Sequence, residues 1–178
     1  MTQGNPLKLL ICFALPLMFG NIFQQLYTVV DTAIVGRGVG MAALAALGTV
    51  DWLNWMLLGL ATGLTQGFSV RLSQKYGEGD LPALGKIMGQ SALLSAMIAL
   101  LCVLLSQLCV PLFLRLLRVP EQLQPMATLY VRILFGGFPA VMFFNFCSSM
   151  LRAIGDSRTP LLAMMTAALT NIALDALA

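Results

Sequence analysis

Residues 87–114 read IMGQSALLSAMIALLCVLLSQLCVPLFL, twenty-eight positions without a charged side chain. A helix needs about 20 apolar residues to cross a hydrocarbon core roughly 30 Å thick. This stretch exceeds that length, so it decides the solvent in which the fold is built. Working outward, charged residues cut the rest of the chain into four more apolar runs. These are Leu9 to Val30, closed by Asp31 and Arg37; Trp52 to Val70; Ile133 to Leu151; and a run from Thr159 to the chain end, interrupted by Asp175. The expected fold class is an all-α membrane protein, a bundle of about five transmembrane helices over about 7–35, 45–71, 86–114, 124–151 and 159–178.

Composition agrees. Of the 178 residues 59% are hydrophobic and 10% charged, against roughly 25% charged in a soluble domain. So few charges cannot clothe a water-facing surface, and the lipid bilayer is the expected partner. The net charge of +3 comes from Lys and Arg scattered through short connectors. That pattern fits topology signals and predicts no nucleic-acid partner. The chain contains no His, no nucleophile–base pair and no metal-ligand cluster of usual spacing, so no enzyme and no cofactor is expected. Cys12, Cys102, Cys109 and Cys147 lie inside apolar runs without CxxC spacing and read as buried free thiols. The first run is too long for a secretory signal and lacks a small-residue cleavage site, so it reads as a retained helix.

The connectors carry turn chemistry. Gly36 to Gly40 alternates glycine through a short turn, Arg71 to Lys86 is a charged loop, and Arg115 to Pro125 holds two prolines. Arg152 to Pro160 is a tight turn with Pro160 suited to the first turn of the last helix. With the N-terminus inside, the cytoplasmic segments hold Lys8, Arg71, Lys75, Lys86, Arg152 and Arg158, while the outer ones hold Arg37, Arg115, Arg118 and Arg132. That bias predicts a multi-pass protein of the plasma (inner) membrane with a cytoplasmic N-terminus. Trp52 and Trp55 then fall near the outer interface, and Asp51 before them reads as a helix-start cap. Gly59, Gly63 and Gly67 form a double small-xxx-small pattern, expected to seat a neighbouring helix or to act as a gating point. Pro16 and the Gly136-Gly137-Pro139 stretch are candidate bends.

Asp31 is the most informative side chain. A carboxylate at lipid depth costs roughly 2.5–3.5 kcal/mol on insertion scales and usually faces a bundle interior. Asn21, Gln24, Thr28 and Asp31 recur at helical spacing, and Tyr27 lies four residues before the acid. Such a stripe lines a wet cavity or glues helices together, and gluing needs only neutral amides. Asn171 and Asp175 are likewise four apart. Counted from Pro160, Asp175 lies about 22 Å into its helix, and Asp31 about 9 Å below the outer end of its own, at ~1.5 Å per residue. At that similar depth the two acids and Asn171 can meet; alternatively Asp175 is an interfacial acid at a helix end. Oxygen ligands of this kind suit a hard cation such as Na+, and two close carboxylates sharing a proton make a proton carrier.

At these residues the chain resembles the multidrug and toxic compound extrusion (MATE) family. Phe23-Gln24-Gln25-Leu26-Tyr27-Thr28-Val29-Val30-Asp31-Thr32-Ala33-Ile34-Val35-Gly36-Arg37 and the following Ala42 to Gly48 are similar to the family's first helix and turn. Arg152-Ala153-Ile154-Gly155-Asp156-Ser157-Arg158-Thr159-Pro160, with Asn171 to Asp175, is similar to its fourth-to-fifth helix turn and Asn-x-x-x-Asp pair. The resemblance implies a two-lobed, twelve-helix antiporter that exchanges Na+ or H+ for drugs, organic cations or other metabolites. It implies coupling residues at Asp31, Asn171 and Asp175, with Gln24 and Tyr27 beside them; with sodium, Asp31, Asn171 and Asp175 are the metal ligands. Against that pattern the chain corresponds to most of one lobe, and a truncated product missing the sixth helix and second lobe is expected. Two other classes fit some of the same features: a flippase of lipid-linked precursors, and a non-transporting membrane scaffold using the Gly59-Gly63-Gly67 face.

Overall fold

A computed structural model describes the backbone of residues 6–38 and 41–177, with side chains except those at 6, 8, 9, 13, 27, 31, 32, 34–38, 41–47, 49 and 175–177. The described backbone is helical and contains no strand. Six helices follow in order: α1 Pro6–Gly38, α2 Met41–Glu78, α3 Leu81–Leu116, α4 Gln124–Gly136, α5 Phe138–Ala153 and α6 Arg158–Leu177, with a single 3-10 turn at Glu121–Leu123 before α4. Among the described residues, three stretches are long and apolar enough to cross a membrane: Leu10–Val30, Leu81–Leu116 and Glu121–Ala153. The last runs through α4 and α5, which together make one span. One face of helix α2 carries Thr62, Gln66, Ser69 and Ser73.

The outer surface of the helices is largely apolar, as suits a protein surrounded by lipid. Helix α3 buries Ser91, Ser95, Ala99 and Ser106 while Leu93, Leu100, Leu104, Leu108 and Leu112 point outward, Leu108 with 78% of its surface exposed. Lipid tails are as apolar as leucine, so burying leucine gains nothing there, and small residues let helices close on one another. The core lies among α2, α3, α4 and α5. Leu53, Leu57 and Ala61 on α2 meet Val110 and Leu114 on α3 and Val131 and Phe135 on α4. Phe135 is fully buried, its ring edge-on to Phe113 at 6.2 Å between centroids. Helices α1 and α6 pack chiefly on each other and form a second layer beside this four-helix core.

The reversals are built from local chemistry. Between α2 and α3, Gly79 takes φ +76°, a left-handed conformation that glycine adopts without a Cβ clash. Asp80 then caps α3 by accepting from the Ala83 amide at 3.1 Å. Lys75 pairs with Glu78 at 2.6 Å, and this bond holds the ammonium above its ordinary range. Before α6, Gly155 has φ +94°. Asp156 Oδ1 accepts from the Arg158 and Thr159 amides, each at 3.0 Å, and Oδ2 from the Thr159 hydroxyl. These bonds, the Thr159 hydroxyl foremost, hold the Asp156 carboxyl below its ordinary range. With these reversals α2, α4 and α5 run one way and α1, α3 and α6 the other.

Several local expectations are resolved. Pro16 lies within an uninterrupted α1, whereas the chain breaks between α4 and α5 at Gly137. There the Gly137 amide bonds the Ile133 carbonyl at 3.0 Å, and Pro139 has no amide proton to continue the ladder. Asp51 is not a helix-start cap. Helix α2 begins ten residues earlier, and Asp51 Oδ2 accepts from the Trp55 indole at 3.1 Å, one turn on. The four thiols are free, but none is buried: Cys12 is exposed, and Cys102, Cys109 and Cys147 are half-buried.

The Gly59-Gly63-Gly67 stripe does not seat a neighbouring helix in this structure. A Cβ at any of the three meets no atom within 4 Å, whereas one at Gly20 meets Met164 Cε at 3.0 Å and Leu161 Cδ1 at 3.6 Å. Among the described glycines, the one a neighbouring helix presses on most tightly is Gly20, in α1 against α6. Spacing revealed a small-residue face on α2 but not which neighbour, if any, covers it.

Candidate functional site

Between the α1–α6 layer and the α2–α5 wall lies a cavity of about 1200 Å³. Each of the four helices contributes apolar lining, Leu17, Leu58, Phe144 and Met164 among it, and polar side chains stand between them. The polar residues follow helical periodicity. On α2, Thr62, Gln66, Ser69 and Ser73 come one to each turn of a single face; on α5, Asn145, Ser149 and Arg152 do the same. Thr62 Oγ1 donates to Asn145 Oδ1 at 3.4 Å and ties these two walls together. The Asn145 amide nitrogen is held by the Val141 carbonyl at 2.9 Å, one turn back. Ser69 and Ser149 donate to carbonyls of their own helices at 2.8 and 2.9 Å, which leaves oxygen lone pairs toward the cavity.

Opposite stand Asn21 and Gln24 on α1 and Asn171 on α6. The Asn171 Oδ1 is buried and has no hydrogen-bond partner among the described residues. A buried acceptor left unmade costs about 1–3 kcal/mol, so an orphan of this kind marks a strained or ligand-holding position. Two of the five residues singled out from the sequence, Gln24 and Asn171, thus share one cavity. The side chains of Tyr27, Asp31 and Asp175 lie outside the described residues. Among those that are described, no three His, Cys, Asp or Glu groups converge as a metal site.

Sequence reasoning missed the polar faces of α2 and α5, Thr62, Gln66, Ser69, Ser73, Asn145 and Ser149, and misplaced Arg152. Spacing places Arg152 in a cytoplasmic turn, yet it occupies the last turn of α5 and lines the cavity half-buried. Its separation of seven from Asn145 was the available signal.

A family model described as MatE matches residues 16–177. The chain is 34% identical over 183 residues to the probable multidrug resistance protein YpnP of Bacillus subtilis strain 168, covering 97% of this chain and 39% of the relative. It is 29% identical to the FAD transporter of Shewanella oneidensis, over 96% of this chain and 37% of that protein. Among solved structures, an outward-facing multidrug resistance MATE family transporter of the MOP superfamily superposes with a TM-score of 0.90 at 27% identity, over 97% of this chain and 38% of that one. A MOP superfamily transporter from Pyrococcus furiosus gives the same TM-score and identity. The chain therefore spans about two fifths of the length of these relatives, 39% of YpnP. Membrane-length apolar helices, the fold match and a family model that covers most of the sequence together show that this chain belongs to the MatE family, whose members are membrane transporters and not enzymes.

Proposed function

We propose that this chain supplies the ion-coupling lobe of a multidrug exporter in the plasma membrane, with its N-terminus in the cytoplasm. Asp31, Asn171 and Asp175 hold the coupling ion, Na+ or H+, with Gln24 and Tyr27 beside them, and the cavity admits a drug or other small organic cation. A second lobe completes the path. The single observation that carries this reading is the unpartnered Asn171 Oδ1 on the wall of a cavity that Gln24 also lines.

Helical register supports it. Gly20 and Met164 mark the contact between α1 and α6, which run in the same direction. Eleven residues beyond Gly20 is Asp31, and eleven beyond Met164 is Asp175. Eleven residues is close to three turns, or about 16 Å of rise, so by sequence Asp31 and Asp175 keep the same helical register to Gly20 and Met164. An ion bridging them favours one packing of α1 on α6, and substrate favours another. Their competition is the coupling step of alternating access. The curated relatives named as multidrug resistance proteins support the choice of cargo. A pyrophosphate-carrying lipid cargo needs several cations, and the described cavity wall offers one, Arg152.

The test is drug resistance conferred by the intact protein in an efflux-deficient bacterial host. Asp31→Asn and Asn171→Leu are expected to abolish resistance at unchanged membrane abundance. Full resistance in Asp31→Asn overturns the assignment.

A further inference from the structure

Arg152 is the one charged side chain among the described residues lining the cavity. It is half-buried and forms neither an ion pair nor a hydrogen bond with any described residue. The nearest acid in sequence, Asp156, is already committed to capping α6 through the Arg158 and Thr159 amides and the Thr159 hydroxyl. An arginine at the end of a span ordinarily snorkels along the lipid face to headgroups. This one lines an open cavity between helices, half-withdrawn from water, where an opposite charge offsets the cost of its burial.

Register describes what surrounds it. The Thr62–Asn145 bond sets α2 beside α5, and the two helices run the same way. Seven residues on from that pair are Ser69 and Arg152, both lining the cavity. Gln66 precedes Ser69 by one turn, and its amide makes no side-chain hydrogen bond among the described residues. Its NH₂ group is therefore available as a donor on the same cavity lining, one turn from the level of Arg152.

We propose that Arg152, with Gln66 on the same cavity lining, forms an oxyanion subsite that holds the phosphate or carboxylate of a small ligand inside the cavity. Arginine's planar fork meets both oxygens of such a group at once, and charge-assisted pairs of this kind are the strong ones. The proposal rests on the cavity being the ligand-holding space and is independent of the coupling ion. Two sources carry the same chemistry, an anionic lipid headgroup and a soluble anionic or zwitterionic molecule.

The test is equilibrium binding of radiolabelled phenyl phosphate to the intact protein in phosphatidylcholine nanodiscs. Saturable binding is expected, weakened at least tenfold by Arg152→Gln, weakened less by Arg152→Lys, and not displaced by benzylammonium or benzyl alcohol. Replacing part of the lipid with phosphatidylglycerol separates the sources: displacement of phenyl phosphate identifies a headgroup as the natural occupant, and unchanged affinity identifies a soluble ligand. No saturable binding to the unmodified protein, equal affinity in Arg152→Gln, or equal displacement by benzylammonium overturns the subsite. If Arg152→Gln does not fold, the Arg152→Lys affinity and the displacement series decide the matter. Binding is read without transport, so a failure of the Asp31→Asn resistance test leaves this result separate.

Discussion

Replacing Gly20 with leucine tests the packing that brings α1 to α6. A Cβ at Gly20 already meets Met164 Cε at 3.0 Å, Leu161 Cδ1 at 3.6 Å and Met164 Sδ at 3.9 Å. Alanine is tolerated, because the nearest atom is the free end of a flexible side chain and Gly→Ala gains about 1 kcal/mol of helix propensity. Leucine adds three further carbons in space held by Met164 and Leu161. Overpacking of that size costs about 1–3 kcal/mol, and about 2 kcal/mol is a factor of roughly 30 in the docking equilibrium. Unfolding by sodium dodecyl sulfate in mixed micelles, followed by circular dichroism, reads the loss. Met164→Ala added to Gly20→Leu is expected to recover most of it, since it removes the clashing atoms. Gly59→Ala, Gly63→Ala and Gly67→Ala are the controls: their new Cβ atoms meet nothing within 4 Å, so they are expected not to destabilise. If Gly20→Leu unfolds at the same detergent fraction as the parent, or the α2 alanines are the more damaging, the assigned packing is wrong.

Two further perturbations follow from the core and the turns. Phe135→Ala empties a fully buried site against Phe113; the loss of about 3–5 kcal/mol seen in soluble cores shrinks where lipid is the alternative solvent, so about 2 kcal/mol is expected in the same unfolding assay. Asp156 has its folded carboxyl held below the ordinary range by the Thr159 and Arg158 bonds. Its contribution is therefore present above the ordinary carboxyl pKa and is lost as pH falls through the lower folded value; Asp156→Ala is expected to flatten that acid limb of a stability–pH curve.

The spans were legible because twenty-eight consecutive uncharged positions, Ile87 to Leu114, suit a helix surrounded by lipid and little else. Helix ends were less so. The apolar run puts α2 at about 45–71, but the helix runs Met41–Glu78, since a helix continues into water once hydrophobicity stops marking it. The α4–α5 break was readable from Gly136-Gly137-Pro139, which supply a missing donor and a small residue together.

Packing partners were not legible. Gly59, Gly63 and Gly67 repeat and attract notice, while the glycine that another helix approaches, Gly20, stands alone between Phe19 and Asn21. Of the polar stripe Asn21, Gln24, Thr28 and Asp31, read as lining a cavity or gluing helices, Asn21 and Gln24 line the cavity. Arg152 was hidden because a charge at a span's end looks the same from sequence whether it faces solvent or cavity.

The most direct measurement is ion uptake at equilibrium by the purified intact protein. It compares the parent with Asp31→Asn, Asp175→Asn and Asn171→Leu, using radioactive sodium and, separately, proton release to a pH indicator. The account predicts that the parent binds one of these ions in proportion to protein, that drug displaces it, and that Asp31→Asn and Asp175→Asn each remove it while Asn171→Leu weakens it. Uptake of both ions that is identical across all four proteins contradicts it.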